Sequence, residues 1–386
     1  MKVSKEIVEQ AIAWRRHLHA HPELGFEEHG TSDFIAEILE SLGIEVHRGI
    51  AQTGVVGVLR RGTSDRSIGL RADMDALPLL ELGESEYRSK HEGSMHACGH
   101  DGHTAMLLGA ASYLSQFGDF DGTVYFIFQP AEENLAGGRA MVEDGLFERF
   151  QIEQVYGMHN WPGRPLGDIC VNDGAMMASF DIFDISLVGR GGHAAIPENT
   201  RDPIVAAAEL VQHIQSIVSR RVSAHDSAVL SITQISGGET YNIIPEEVKL
   251  KGTVRALSES VRLQVKEQLI KAVESLPALR EVKGSIDYQD CYPATINTPE
   301  KAVRVREIAA AIFGEERVFD DLLPSMASED FSFMLREKPG AYIWLGVDGD
   351  KPSAALHNPY YDFNDEALPT GILLWVSLVE QLGVSL

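Results

Sequence analysis

Thr123-Val124-Tyr125-Phe126-Ile127-Phe128 decides the fold, because it is apolar on both faces of any strand it forms. A strand with one wet face alternates apolar and polar residues, whereas a strand covered by helices on both sides does not. Val155-Tyr156-Gly157-Met158 reads the same way, and further strands are predicted at residues 54–59 and 68–71. Helical periodicity surrounds them. Ile7, Ala11, Trp14 and Leu18 mark one face of a first helix. A second is expected over residues 32–42, with Thr31 as its cap and Gly43 as its stop. A third, mostly apolar and therefore buried, is expected over residues 104–116. Alternating helices and doubly covered strands predict an α/β fold with a mainly parallel sheet.

The pattern changes between about residues 175 and 290. Strand 180–188 leads to helix 203–219, with Asp202 and Pro203 at its cap and first turn. Strands 228–235 and 247–256, helix 259–275 and strand 282–288 complete a β-α-β-β-α-β order, that of a ferredoxin-like unit. Along 247–256, Val248, Leu250 and Val254 face one way and Lys249, Lys251, Thr253 and Arg255 the other. After Asp290 the α/β style returns, with helix 299–313 ending at Gly314, strand 341–345 and a final helix starting near Asp365. The expected organisation is a discontinuous α/β domain, 1–174 and 291–386, with an α+β domain, 175–290, inserted in it.

At 386 residues there is chain enough for two filled cores. A net charge of −24 argues against nucleic acid as the main partner, because phosphate binding needs clustered Lys and Arg. No run is long enough to span a membrane, and residues 1–10 lack the apolar core of a signal peptide. Cys98, Cys170 and Cys291 cannot build a disulfide framework, so a reducing cytoplasm is the expected home.

Chemistry concentrates in Met95-His96-Ala97-Cys98-Gly99-His100-Asp101-Gly102-His103 and in Gln129-Pro130-Ala131-Glu132-Glu133. A thiolate and neutral imidazoles are ligands for Zn²⁺ and similar ions, and a carboxylate pair can add one ligand and one general base. Position strengthens the reading. Asp73 and Asp75 follow strand 68–71, Glu132 and Glu133 follow 123–128, His159 follows 155–158, and His357 lies in the loop after 341–345. Ligands in open α/β sheets bind at the carboxyl ends of strands. Taken singly, His159 reads as a hydrogen-bonded structural residue, Cys98 as apolar filler and Glu132-Glu133 as a surface pair. Together they predict a hydrolase that activates water on a metal. A thiol enzyme using Cys98 with His96 or His100 would leave Glu132, His159 and His357 without purpose. A metal-stabilised binding protein would have no need of Glu132 as a base.

Several stretches carry a family likeness: Arg15-Arg16-His17-Leu18-His19, Arg71-Ala72-Asp73-Met74-Asp75-Ala76-Leu77-Pro78, the Cys98 and Glu132 segments, Gly189-Arg190-Gly191-Gly192-His193-Ala194-Ala195 and Leu356-His357-Asn358. By these the chain resembles, nearly end to end, the amidohydrolase branch of the zinc aminoacylase/carboxypeptidase superfamily, which includes hippurate hydrolase and plant auxin-conjugate hydrolases. The resemblance implies that Cys98, His100, Glu133, His159 and His357 hold two divalent metal ions (Zn, Mn, Co or Ni), with the Cys98 sulfur bridging. Glu132 is then the general base and Asp75 the carboxylate that orients His100. Asp73 stands where distant relatives place a metal-binding His, and Cys98 replaces their bridging carboxylate.

The resemblance assigns His193 to the oxyanion, and Asn242 (in Tyr241-Asn242-Ile243-Ile244-Pro245) and Arg255 to a substrate α-carboxylate. It further implies a homodimer or higher homo-oligomer through the inserted domain, which serves as dimerisation and lid domain. His17, His19, His21 and His103 are expected to be structural or supporting, and Glu329, in Ser328-Glu329-Asp330-Phe331, has no assigned role. The expected reaction cleaves a small N-acyl amino acid, such as a hippurate-like conjugate, to a carboxylic acid and a free amino acid. The alternative is an N-acetyl-diaminopimelate deacetylase or a related dipeptide or amide metallohydrolase. Trp161, Met176, Met177 and Phe331 suit an acyl pocket and suit a core equally.

Overall fold

A computed structural model describes residues 2–350 and 353–381. The chain divides into two compact units, one formed by Met1–Met176, Ile296–Leu323 and Asp330–Leu386, the other by Met177–Thr295 and Pro324–Glu329.

The first unit is built on an eight-stranded sheet, in the order Glu45–Ile50, Gly54–Arg61, Gly122–Gln129, Ser67–Asp73, Val155–Pro165, Gly340–Asp348, Ile169–Cys170 and Val318–Phe319. Its four central strands, from Gly122–Gln129 to Gly340–Asp348, are parallel neighbours. Ser67–Asp73 and Gly122–Gln129 are buried along their whole length, as apolarity on both faces requires. The sheet is mainly parallel at its centre only. Glu45–Ile50, which has no clear sequence signal, forms an antiparallel hairpin with Gly54–Arg61, and that strand runs antiparallel to Gly122–Gln129.

Helix His100–Phe117 is nearly all buried and packs against helices Lys5–Ala20 and Leu368–Glu380. Fully buried Leu107, Leu108 and Leu114 each stabilise this layer by about 1.5–3 kcal/mol. The helix starts four residues before the expected position. Gly102 is no break, because a Cβ there would lie 2.3 Å from the Phe363 ring and close packing demands glycine. The second helix likewise starts early, at His29, and has no side-chain cap of its own. Glu23 reaches in from outside and accepts the amides of Gly30 and Thr31, at 3.0 and 2.7 Å. No described helix is long and apolar enough to cross a membrane.

The second unit is a four-stranded antiparallel sheet in the order Ala228–Ser236, Glu247–Ala256, Phe180–Val188 and Lys283–Tyr292. Its helices are Pro203–Arg221 and Glu259–Ser275, so the chain order is β-α-β-β-α-β. Asp202 accepts the Ile204 amide at 2.8 Å and Pro203 sits at the first turn. Val248, Leu250 and Val254 are buried with Phe183, Leu210 and Leu269, while Lys249 and Lys251 are exposed. The segment Pro324–Glu329 joins this unit although it lies far along the chain, and the Ala178 amide donates to the Ser325 carbonyl.

Candidate metal centre

In the first unit the carboxyl ends of the parallel strands deliver a dense set of donors. Ser67–Asp73 ends on Asp73, with Asp75 two residues on. Glu132 and Glu133 open a short helix, Glu132–Leu135, entered through Ala131 in the left-handed region at φ 53°. His159 lies inside strand Val155–Pro165, which runs beyond the expected end at residue 158. His357 also has left-handed backbone, φ 61°, and its amide donates to the Ala97 carbonyl at 2.8 Å. Helix His100–Phe117 begins after Gly99 at φ 88°, where a Cβ would lie 2.3 Å from Asn160 Oδ1. That glycine lets Cys98 and His100 face one side of a sharp turn.

Within this unit, three groups of donor atoms each fall within 4.8 Å: Cys98, Glu133 and His357; His100, Glu132 and Glu133; and Asp73, His100, His103 and His159. Cys98 Sγ lies 3.4 Å from His159 Nε2, and His357 Nε2 lies 3.0 Å from Glu133 Oε1. The imidazoles are oriented from behind. His159 Nδ1 donates to the Asn160 carbonyl at 2.7 Å, leaving the Nε2 lone pair facing the sulfur. His100 Nδ1 donates to Asp75, with its backbone oxygen at 2.9 Å and Oδ1 at 3.1 Å. The other Asp75 oxygen accepts the Glu133 amide at 2.9 Å, so one carboxylate positions both a histidine and the glutamate pair.

These donors fit metal ions. Buried His100 Nε2 has no hydrogen-bond partner among the described residues, which is costly unless a cation takes its lone pair. The electrostatics agree. Burial pushes the Cys98 thiol well up, and Glu133, Glu132 and Asp73 push it further. A thiolate there needs a cation, and a nucleophilic thiol activated by His96 or His100 does not match a sulfur that faces His159. Burial opposes charge on His100, but Asp73 and Asp75 outweigh it and raise it to about 10, so the surroundings of Nε2 favour a positive charge there, a proton or a metal ion in its place. Burial, then His103, drives His159 well below its usual value, so it is neutral. An anionic pocket containing soft and nitrogen donors is the expected host for borderline divalent ions.

Asp73 has a different employment. Its Oδ2 accepts from Arg71 at 2.7 Å and its Oδ1 sits 2.6 Å from His103 Nδ1. Arg71 also reaches Gln129 Oε1 and Asp330 Oδ1, at 2.8 and 3.0 Å. His103 contacts Asn160 on its other side. Sequence reading missed this buried network, although Arg71 and Gln129 lie in the quoted motifs. It also missed Glu28, whose carboxylate accepts from Thr53 Oγ1 and from the Ala131 amide at 2.8 Å and so holds the turn that presents Glu132. No local signal marks Glu28. Its second contacts lie 25 and 103 residues away.

His193, Asn242, Arg255 and Glu329 belong to the second unit. His193, exposed, is in a two-residue strand paired with Ile243, and Ala194 donates to the Asn242 carbonyl, so His193 and Asn242 are neighbours. His193 Nδ1 accepts the Ala195 amide at 3.1 Å, which leaves the proton of the neutral ring on Nε2. Asn242 Oδ1 accepts from Thr240 Oγ1. Arg255 lies over the Phe180 ring and donates NH1 to the Met326 carbonyl at 2.9 Å. Glu329 is buried in the segment that joins this unit, and its carbonyl accepts from Thr295. Met176, Met177 and Phe331 are buried, Phe331 completely, as core residues are; half-buried Trp161 stacks on Trp344 at 3.8 Å.

Residues 69–381 match the profile of peptidase family M20/M25/M40. The chain is 45% identical to a hippurate hydrolase of Campylobacter jejuni, over 92% of this chain and 91% of that protein. It is 39% identical to an N-acetyl-L-cysteine deacetylase of Bacillus subtilis, over 93% and 85%. A crystal structure from Bacillus subtilis, described as a dinuclear metal binding peptidase from the M20 family, superimposes with a TM-score of 0.84 at 33% identity, covering 97% of this chain and 99% of that one.

Proposed function

The chain belongs to peptidase family M20/M25/M40, and from that premise we propose that this metal-dependent hydrolase cleaves small N-acyl amino acids to a carboxylic acid and a free amino acid. The observation that carries the reading is the linked donor groups of Cys98, His100, Glu132, Glu133, His159 and His357, which share Glu133 and His100 between them. The names of the relatives, a hippurate hydrolase and an N-acetyl-cysteine deacetylase, support the substrate class.

Cys98, His100, Glu133, His159 and His357 would hold two divalent ions. Such ions polarise a carbonyl and lower the pKa of water toward neutrality. The rest is work for side chains. Glu132 takes the proton of the attacking water on its carboxylate and returns it to the leaving nitrogen. Asp75 keeps His100 and the glutamate pair in place from behind. Asp73, clamped by Arg71, holds His103 rather than an ion. His193 Nε2–H serves as donor to the oxyanion of the tetrahedral intermediate, a role whose loss typically costs ~10²–10³ in turnover. Asn242 and Arg255 grip the substrate α-carboxylate, Arg255 through the guanidinium edges it does not commit to Met326.

The second unit, 175–290 in its main span, acts as lid and dimerisation domain. Strand Ala228–Ser236 lies at its sheet edge with Val229 and Ile235 exposed, and a bare edge of this kind invites a second copy. A cytoplasmic location suits three free cysteines, one of them essential to the centre.

Amine release from a panel of N-acetyl and N-benzoyl amino acids, with N-acetyl-diaminopimelate included, tests the reading on metal-reconstituted protein. Turnover of the N-acyl amino acids is expected. Turnover of N-acetyl-diaminopimelate alone would replace the reading with the biosynthetic deacetylase. Silence across the panel with metal bound would refute it.

A further inference from the structure

Two carboxylates hold the backbone around Glu132, and they come from different parts of the chain. Asp75, two residues past strand Ser67–Asp73, accepts the Glu133 amide at 2.9 Å. Glu28 accepts the Ala131 amide at 2.8 Å from residues 21–28, the loop between helices Lys5–Ala20 and His29–Ser41. Glu132 stands between these two held amides. Gly137 closes the far side of the turn by donating to the Ala131 carbonyl at 2.9 Å.

The loop is itself fixed on several sides. Leu24 pairs with Ala76 as a parallel bridge, and the Ala76 amide donates to the Glu23 carbonyl at 2.8 Å. One loop is thereby joined both to the segment that carries Asp75 and to the turn that presents Glu132. Phe26 has left-handed backbone at φ 63°, which costs a non-glycine residue about 1–2 kcal/mol. Strain of this kind persists where the surrounding contacts over-determine the backbone. Gly25 packs against the turn so closely that a Cβ there would lie 3.1 Å from both Cα and Cβ of Ala131. Glu28 is fully buried, and Thr53 Oγ1 donates to its second oxygen at 2.6 Å, so the carboxylate is anchored at both ends.

Holding the turn calls for an oxygen at the right distance more than for a charge. Burial raises the Glu28 carboxyl to about 7, against the Thr53 hydrogen bond and with help from Asp75. Its neutral form still offers an acceptor to Ala131, as a carboxamide would.

We infer that Glu28 is a positioning residue for the reaction. Through the Ala131 amide it fixes the backbone from which Glu132 reaches the attacking water, while Asp75 separately fixes Glu133. The inference rests on Glu132 acting as the base, as proposed above. It divides turnover from metal binding, because Glu133 keeps its own support when Glu28 is displaced.

Two substitutions separate length from charge. Glu28→Gln keeps the length and an acceptor oxygen without the charge, whereas Glu28→Asp keeps the charge and withdraws the oxygen by one methylene. Turnover of an N-acyl amino acid is measured beside metal per chain and melting temperature, all on the same metal-reconstituted samples. Glu28→Gln should retain kcat close to wild type. Glu28→Asp should lose up to about 10²-fold in kcat, the scale of an ångström's misplacement, with KM and bound metal unchanged. Gly25→Ala, which crowds Ala131 without touching Glu28, should lower kcat in the same selective way. It carries the test if Glu28→Asp does not fold. Full turnover by Glu28→Asp or by Gly25→Ala overturns the inference. So does a Glu28→Gln protein as impaired as Glu28→Asp, or metal lost in step with turnover. A wild type that cleaves no N-acyl amino acid instead fails the function proposed above.

Discussion

Glu132 and Glu133 are chain neighbours with different surroundings, and the backbone between them is what separates the two. Ala131 in the left-handed region starts a fresh helical turn, so successive side chains diverge by about 100°. Glu133 faces His357 at 3.0 Å, while Glu132 falls in the group with His100. Glu132→Gln keeps the volume and removes the base. It should lower kcat by about 10²–10⁴ or more while bound metal stays at the wild-type level. Metal analysis beside turnover checks this, and a variant that loses metal would make Glu132 a ligand instead. Asp75, Glu132 and Glu133 were legible because each follows closely on a strand whose apolarity announces it, and Cys98 and His100 because ligand-type residues crowd one short stretch. Their supports were not. Asp73 falls in a donor group with His100 and His159, and only the fold shows that its oxygens also accept from Arg71 and His103, two and thirty residues away. Charge pairing across a fold leaves no periodic trace in a sequence.

At the scale of elements, helix Lys5–Ala20 is fastened to helix His100–Phe117 by buried charge. His19 Nδ1 lies 2.8 Å from Asp101 Oδ2, and fully buried Arg15 lies 3.1 Å from the same oxygen. Arg15 also reaches Asp362 and the Phe363 carbonyl. Burial alone would discharge His19, but Asp101 and Glu81 overcome it and raise it to about 9 from an ordinary 6.5. A raised folded-state value means that the protonated pair stabilises fully below pH 6.5 and loses its contribution as pH rises through about 9. The shift corresponds to about 3 kcal/mol at most. Melting temperature should therefore fall between pH 7 and pH 10, and His19→Gln should be less stable at pH 6 with a flatter alkaline slope. Equal slopes in the two proteins would show that His19 does not carry the charge. Periodicity foresaw both helices but not their starts. His29 and His100 each precede the expected first residue because a distant carboxylate or ring, Glu23 or Phe363, settles the end from outside the helix.

Two units carry the candidate residues: the first holds the donor groups at the carboxyl ends of its parallel strands, and the second carries Arg255 on its antiparallel sheet and His193 beside Asn242 at a separate two-stranded pairing. The second was legible because strand Glu247–Ala256 alternates without interruption, buried on even positions from Val248 to Ala256. The late return of Pro324–Glu329 to that unit was not, since six residues are too few to show a period. If the proposed homodimer places His193 of each subunit against the centre of the other, two dead variants should rescue one another. Glu132→Gln chains lack the base and His193→Ala chains lack the donor, yet a mixed dimer then contains one centre with both groups intact. Random reassociation makes half the dimers mixed, and half the centres in each are whole. Mixing equal amounts after dissociation should therefore restore about one quarter of wild-type turnover. Restoration has to appear only after dissociation and remixing, because intact homodimers exchange nothing. If His193 serves its own chain, every centre in the mixture carries one lesion. Activity then stays at the sum of the two variants, and the exposed strand edge at Ala228–Ser236 would join subunits without completing their sites.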